Sequence, residues 1–250
     1  MPVAGPDTDG CRCPGKALSV QSRRFSNERI WIVHPRNRRI RRPKSPSLLP
    51  LLAAAVTGFA SVTASAQEGS AEAGQAKSTV CAACHGADGN SAVQPIWPSL
   101  AGQHPKYFER QIAAYRAGER SDAGMQQFAQ MLSDEDTRDI AAYYAAQTLT
   151  PKGADPELVD RGENIYLGGI PERGIAACIA CHGPNGNGNP LAGYPRVSHQ
   201  HAPYLAATLR DYRSGARQSD SSLNQMMRNV AELLLDNEIE ALASYMQGLN

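Results

Sequence analysis

Cys81-Ala82-Ala83-Cys84-His85-Gly86 recurs as Cys178-Ile179-Ala180-Cys181-His182-Gly183, 97 residues later. Each copy is a C-x-x-C-H site, the spacing of covalent haem attachment. Two thiols three residues apart on one helical turn reach the two vinyl groups on one haem edge. The histidine that follows then lies under the ring, where its imidazole binds the iron. A structural zinc site wants four thiolates, or two thiolates and two imidazoles, at its own spacing. A redox C-x-x-C sits near a βαβ pattern, and the sequence shows no strands. The expected cofactors are therefore two covalent haems c, held by Cys81, Cys84, Cys178 and Cys181, with His85 and His182 as the proximal iron ligands.

The surroundings of the two sites repeat as well, as a duplicated fold requires. Pro98 and Pro195, Gln103 and Gln200, His104 and His201, Tyr107 and Tyr204, Arg116 and Arg213, and Arg120 and Arg217 keep the offset of 97. The offset then becomes 102, pairing Met125 with Met227, Leu132 with Leu234, Ile140 with Leu242 and Tyr144 with Met246. Five residues are inserted within 218–226. Upstream, Gly74 matches Gly162, with a nine-residue insertion before the second haem site.

Each half yields the same helical sketch. A first helix is expected at about 70–84, and at 156–167 in the second half. A middle helix over 105–117 carries Tyr107, Phe108, Ile112 and Tyr115 at helical spacing. Its counterpart, 203–214, carries Tyr204, Leu205, Leu209 and Tyr212, and a proline near each start is well placed. A last helix opens at Ser133 with acidic residues in its first turn, and its counterpart opens at Asp236. Residues 150–156 read as the linker.

Net charge is +1 over 250 residues, but residues 1–66 hold 11 Lys/Arg against 3 Asp/Glu, while residues 67–250 hold 14 against 21. The acidic body argues against nucleic acid, which needs a basic face, and suits partners that present lysines. Residues 1–47 show no apolar period. A basic run at 36–44, a short apolar stretch at 48–62 and Ala64-Ser65-Ala66 read as an export signal with its cleavage site. The apolar stretch is too short for a membrane span. The segments are thus 1–66, leader and export signal; 67–150, first domain; and 151–250, second domain. Cys11 and Cys13 lack both the spacing and the histidine of a haem site.

The sixth iron ligand decides the chemistry, because methionine opposite histidine raises the reduction potential. The candidates are Met125, Met131, Met226, Met227 and Met246, with His104, His199 and His201. Met125 and Met227 share a context, lying eight residues before Ser133 and Leu235 at the entry to the last helix of each half. Met131 and Met246 read as core, and Met226 competes with Met227. His104 and His201 recur and permit a bis-histidine alternative. Pro98 and Pro195 each follow an aromatic residue, and a proline there can offer its carbonyl to the N–H of the ligating histidine.

On Val80–Ser91, Pro98–His104, Met125 ahead of Leu132-Ser133-Asp134, Cys178–Asn189, Tyr194-Pro195-Arg196 and Met227-Arg228, residues 67–250 resemble the dihaem cytochrome c4 family over their whole length. The second half departs where Val197-Ser198-His199-Gln200 stands against Leu100-Ala101-Gly102-Gln103. The resemblance implies an all-α fold of two tandem class I cytochrome c domains, facing each other across a pseudo-twofold. It implies Met125 and Met227 as axial ligands. It also implies a periplasmic electron carrier, free or attached to the membrane surface, that passes electrons to a terminal oxidase; a cytochrome bc-type complex and a periplasmic dehydrogenase are the other expected redox partners. No catalytic residue is expected. The rival is a catalytic dihaem protein, a peroxidase or dehydrogenase subunit, with one labile sixth ligand.

Overall fold

The computed structural model describes residues 68–250, all within one compact unit. The leader, the export signal, Cys11 and Cys13 lie outside the described residues. Ten α-helices lie among them: α1 (Ala71–Lys77), α2 (Thr79–His85), α3 (Pro105–Ala117), α4 (Ala123–Met131), α5 (Asp134–Ala145), α6 (Val159–Gly168), α7 (Ile179–His182), α8 (Ala202–Ser214), α9 (Met226–Ala231) and α10 (Asp236–Gly248). Two isolated bridges, Ile170 to Ile175 and Asn189 to Tyr194, are the extended pairings among the described residues.

The middle and last helices fall where the periodicity places them. Ser133 caps α5 in a reciprocal box, its side chain accepting from Asp136 N while the Asp136 carboxylate accepts from Ser133 N. In the second half the Glu238 carboxylate accepts from Leu235 N at 2.9 Å.

The first helix differs from its expected form. It is two pieces that meet at Ser78, where the Ser78 hydroxyl turns back on Gln75 O and that of Thr79 on Ala76 O. These local bonds compete with the helical ladder. In the second half α6 begins three residues later than expected, because Asp155 holds Glu157 N in a local turn. The nine-residue insertion then separates α6 from the short α7 that carries the second C-x-x-C-H.

Each half buries its own core. In the first, α3 and α5 bring together Phe108, Ile112, Tyr115, Ile140 and Tyr144; in the second, α8 and α10 do so with Leu205, Leu209, Tyr212, Leu242 and Met246. These are the same positions of the repeat, and burying one such side chain stabilises by about 1.5–3 kcal/mol. The first and last helices of each half cross at a glycine. A β-carbon on Gly74 would fall on the Asp139 carbonyl, and one on Gly162 on the Ala241 carbonyl. Asp139 and Ala241 are themselves repeat partners, so the crossing was duplicated with the sequence.

Helices α4 and α9 were absent from the periodicity reading, and they correct one expectation. Met131 is not core: it is 73% exposed, and its counterpart Leu233 is 49% exposed. The inward stripe of α4 and the turn after it is Met125, Ala129 and Leu132; that of α9 is Met227, Ala231 and Leu234. This i, i+4, i+7 spacing turns position 131 to solvent. Met246 is buried, as expected.

Candidate functional site

Each C-x-x-C-H lies on a helical turn, α2 or the start of α7, so the two cysteines and the histidine project from one short segment. All four thiols are free. Burial pushes the Cys178 thiol up to about 11 and raises that of Cys81. Among the described residues no group of three or more His, Cys, Asp or Glu side chains converges as a metal site.

Both histidines are buried. His85 Nδ1 lies 2.9 Å from Pro98 O, and His182 Nδ1 lies 3.0 Å from Pro195 O. A carbonyl can only accept, so Nδ1 carries the proton and Nε2 keeps its lone pair. Burial depresses the basicity of both rings, outweighing the carbonyl that favours the charged form. The result in each half is a neutral, oriented imidazole with Nε2 free, the state a metal-binding histidine requires.

The glycine after each motif is also a repeated necessity. Gly86 and Gly183 turn the chain at φ +79° and +77°, a conformation favoured by glycine. Gly89 and Gly186 follow in the left-handed region. A β-carbon on Gly89 would meet Tyr144 Cδ1 at 2.6 Å, and one on Gly186 would meet Leu249 Cδ2 at 2.8 Å.

Met125 and Met227 are half-buried and pack on the cores of their respective halves. Met226 is half-buried too, and its Sδ lies 3.9 Å from Cys181 Sγ. The common stripe, 125/129/132 and 227/231/234, makes Met227 the structural equivalent of Met125.

The recurring histidines are used elsewhere. His104 Nε2 donates to Asn187 O at 2.7 Å, and His201 Nε2 to Asn90 O at 3.3 Å. Each bond crosses from one half to the other, and Asn90 and Asn187 are themselves repeat partners. Gln103 brackets Arg196, its amide donating to Arg196 O and its carbonyl accepting from Arg196 N. Gln200 does the same to Ser99. Arg120 donates to the Tyr204 hydroxyl and Arg217 to that of Tyr107, both at 2.9 Å. Three reciprocal pairs make an isologous interface, the pattern of a twofold, within a single chain. Sequence reading found these residues as repeats; their partners lie 83 to 111 residues away.

His199 is the clear departure from the repeat. It stands where the first half has Gly102, and both are left-handed, at φ +56° and +64°. Its Nδ1 accepts from Lys152 N, while the Lys152 ammonium donates to His199 O and Ser99 Oγ. The substituted residue thus fastens the linker between the halves.

The fit to haem c can be judged on the interface arginines. Arg217 is 2% exposed and hydrogen-bonds the neutral side chains of Ser219, Thr208, Tyr107 and Gln111. Neither it nor Arg120 forms an ion pair with a carboxylate among the described residues. A buried guanidinium without a counter-charge is costly, and it suits a prosthetic group that brings carboxylates of its own. Together with two free thiols and an oriented imidazole per half, the donor set fits haem c.

Known proteins agree. The family model for cytochrome c matches residues 71–146 and 160–250. Cytochrome c4 of Thiocapsa roseopersicina is 48% identical over 75% of this chain and 96% of its own length. The crystal structure of reduced recombinant cytochrome c4 from Pseudomonas stutzeri aligns with a TM-score of 0.70 at 45% identity, over 73% of this chain and all of that one. A more distant relative, the thiosulfate dehydrogenase electron acceptor of Stutzerimonas stutzeri, is 37% identical over 66% of this chain and 76% of its own. Two cysteine pairs, two clamped imidazoles and a twofold interface recur in a chain so similar to these that it belongs to the cytochrome c family, as a dihaem electron-transfer protein of the cytochrome c4 type with two covalent haems c.

Proposed function

We propose that this protein is an exported, periplasmic electron carrier, not an enzyme, in which both irons are closed by histidine and methionine. Cys81 and Cys84 hold one haem and Cys178 and Cys181 the other. His85 and Met125 are the axial ligands of the first iron, His182 and Met227 those of the second, and Pro98 and Pro195 orient the histidines. The domains run over 67–150 and 151–250, behind a leader of 66 residues. The observation that carries this reading is the duplicated clamp, in which Pro98 O and Pro195 O fix His85 and His182 at 2.9 and 3.0 Å.

Haem c supplies the one-electron couple. The chain does the rest. The proline carbonyls fix the tautomer and raise the basicity of the ligating nitrogen. The apolar cores pack against Cys81 in the first half and Cys178 in the second. The reciprocal interface holds the halves in one orientation, so that one half receives an electron and the other delivers it. The acidic body favours encounter with lysine-rich partner surfaces. A terminal oxidase is the proposed acceptor, and a cytochrome bc-type complex or a periplasmic dehydrogenase the donor. The name of the thiosulfate dehydrogenase relative supports the dehydrogenase. Among the described residues no helix is long and apolar enough to cross a membrane, and the proposed membrane association is peripheral.

The test is the ferric spectrum of the mature protein, scaled to haem content. Two equivalents of the weak far-red band of a Met–iron bond per chain are expected. One equivalent or none would mean that an iron is open or otherwise ligated, and binding of peroxide and small ligands would then decide for the catalytic reading.

A further inference from the structure

The five-residue insertion of the second half lies beside the second methionine. In the first half, Asp122 is the N-cap of α4 and its carboxylate accepts from the third residue of that helix, Met125, at 2.8 Å. In the second half, the N-cap of α9 is Gln225, whose side chain caps nothing. Asn224 and Gln225 are both left-handed, at φ +53° and +58°, a strained pair for residues with side chains.

The missing cap comes from earlier in the segment 218–226, within which the insertion falls. Asp220 is 1% exposed. Its Oδ2 accepts from Arg228 N, the third residue of α9, at 2.9 Å, and its Oδ1 accepts from Arg228 Nε at 2.8 Å. Its backbone carbonyl accepts from Gln225 N and Leu223 N. One residue therefore holds both ends of the turn that contains Met226 and Met227. That turn is also tied to the first half. Gln218 N donates to Glu119 O at 2.6 Å. Ser219, next to Asp220, accepts from Arg217 Nε, and Arg217 reaches Tyr107 and Gln111 of the first half.

We propose that Asp220 is the positioning residue for the second sixth-ligand turn, a cap made from eight residues before Arg228 in place of the local N-cap that Asp122 provides in the first half. The proposal rests on Met227 as the second axial ligand. Charged hydrogen bonds of this kind are strong and expensive to leave unmade. Loosening them frees Met227 to leave the second iron, while Met125 stays.

The experiment uses the full-length haem-loaded protein with Asp220→Asn, Asp220→Ala, Asp122→Asn and Met227→Leu. Three readouts apply: far-red absorbance per haem, imidazole binding to the ferric protein, and amide exchange across residues 226–229. Met227→Leu is expected to remove one of the two far-red equivalents; if both remain, the ligand reading itself is wrong. Asp220→Asn is expected to open one iron to imidazole with affinity raised about tenfold, and to speed exchange at Arg228 N, while the other iron keeps wild-type behaviour. Asp122→Asn is expected to affect the other iron. If Met227→Leu removes its equivalent but Asp220→Asn leaves imidazole affinity and Arg228 exchange unchanged, the role of Asp220 is refuted. Should Asp220→Ala fail to accumulate, Asp220→Asn, which keeps the size of the side chain, carries the test.

Discussion

Arg217 Nη2 donates to the Tyr107 hydroxyl at 2.9 Å, and 97 residues earlier in the repeat Arg120 does the same to Tyr204. The pairs look alike, but Arg217 is buried and Arg120 half-buried. Gln111 accepts from both guanidiniums, at 2.6 and 3.2 Å, where the second half has Thr208. Tyr107→Phe should therefore cost more than Tyr204→Phe, about 1–3 kcal/mol against about 1 kcal/mol. Urea titrations of the two variants check the order, and equal midpoints would show that burial of Arg217 does not decide it.

The two helix crossings give a sharper contrast. Gly74→Ala and Gly162→Ala force a methyl onto the backbone of the facing helix. Each is expected to cost more than about 4 kcal/mol, in the range of exceptional substitutions, and to abolish accumulation of haem-loaded protein. Gly168, at the end of α6, has open space around it and ordinary backbone angles. Gly168→Ala should be neutral or stabilising by up to about 1 kcal/mol. Thermal melting of the three variants separates the cases.

Acid sensitivity of the first half centres on Asp139. Its carboxylate accepts from Lys77 Nζ at 2.6 Å and Ser70 N at 2.7 Å, and these bonds hold its pKa below the ordinary value. A carboxyl depressed by folding contributes stability that is complete above its unfolded pKa of about 3.9 and is lost as pH falls through the lower folded value. Asp139→Asn should therefore be less stable than wild type at pH 7, and the difference should narrow as pH is lowered to about pH 2, below the ordinary carboxyl range. Urea midpoints at the two pH values test this. A difference that persists in acid would mean that the Asp139 charge is not the cause.

Four methionines can be sorted by the far-red band. Met125→Leu is expected to remove one equivalent. Met131→Leu and Met226→Leu should leave both, because Met131 faces solvent and Met226 lies off the 227/231/234 stripe. Met246→Ala should leave the band and instead cost about 2–5 kcal/mol, the usual range for truncating a buried methionine. Loss of an equivalent in Met226→Leu would exchange the roles of Met226 and Met227.

Much of what depends on neighbours in the chain was readable without coordinates, although the break at Ser78 and the late start of α6, both set by local bonds, were not. The C-x-x-C-H turn, the proline before each middle helix and the Ser133 cap are set by spacing and local hydrogen bonding, and the offsets of 97 and 102 exposed the duplication. Even the pairing of Met125 with Met227 followed from register. Helices α4 and α9 were not legible, because their apolar stripes are only three residues long, and Met131 was consequently assigned to the core. Nor could sequence show what Gln103, His104, Arg120 and their repeats are for. Each pairs with a residue of the opposite half, and recurrence marks a position without naming its partner. Asp220 lies within 218–226, where the register of the repeat changes, so neither the offset of 97 nor that of 102 pairs it with a residue of like role. Local chemistry and register are properties of the chain; the interface required the halves to be packed together, because its bonds close only across loops that tertiary contacts bring together, and the Asp220 cap required its own loop to fold back over eight residues onto Arg228.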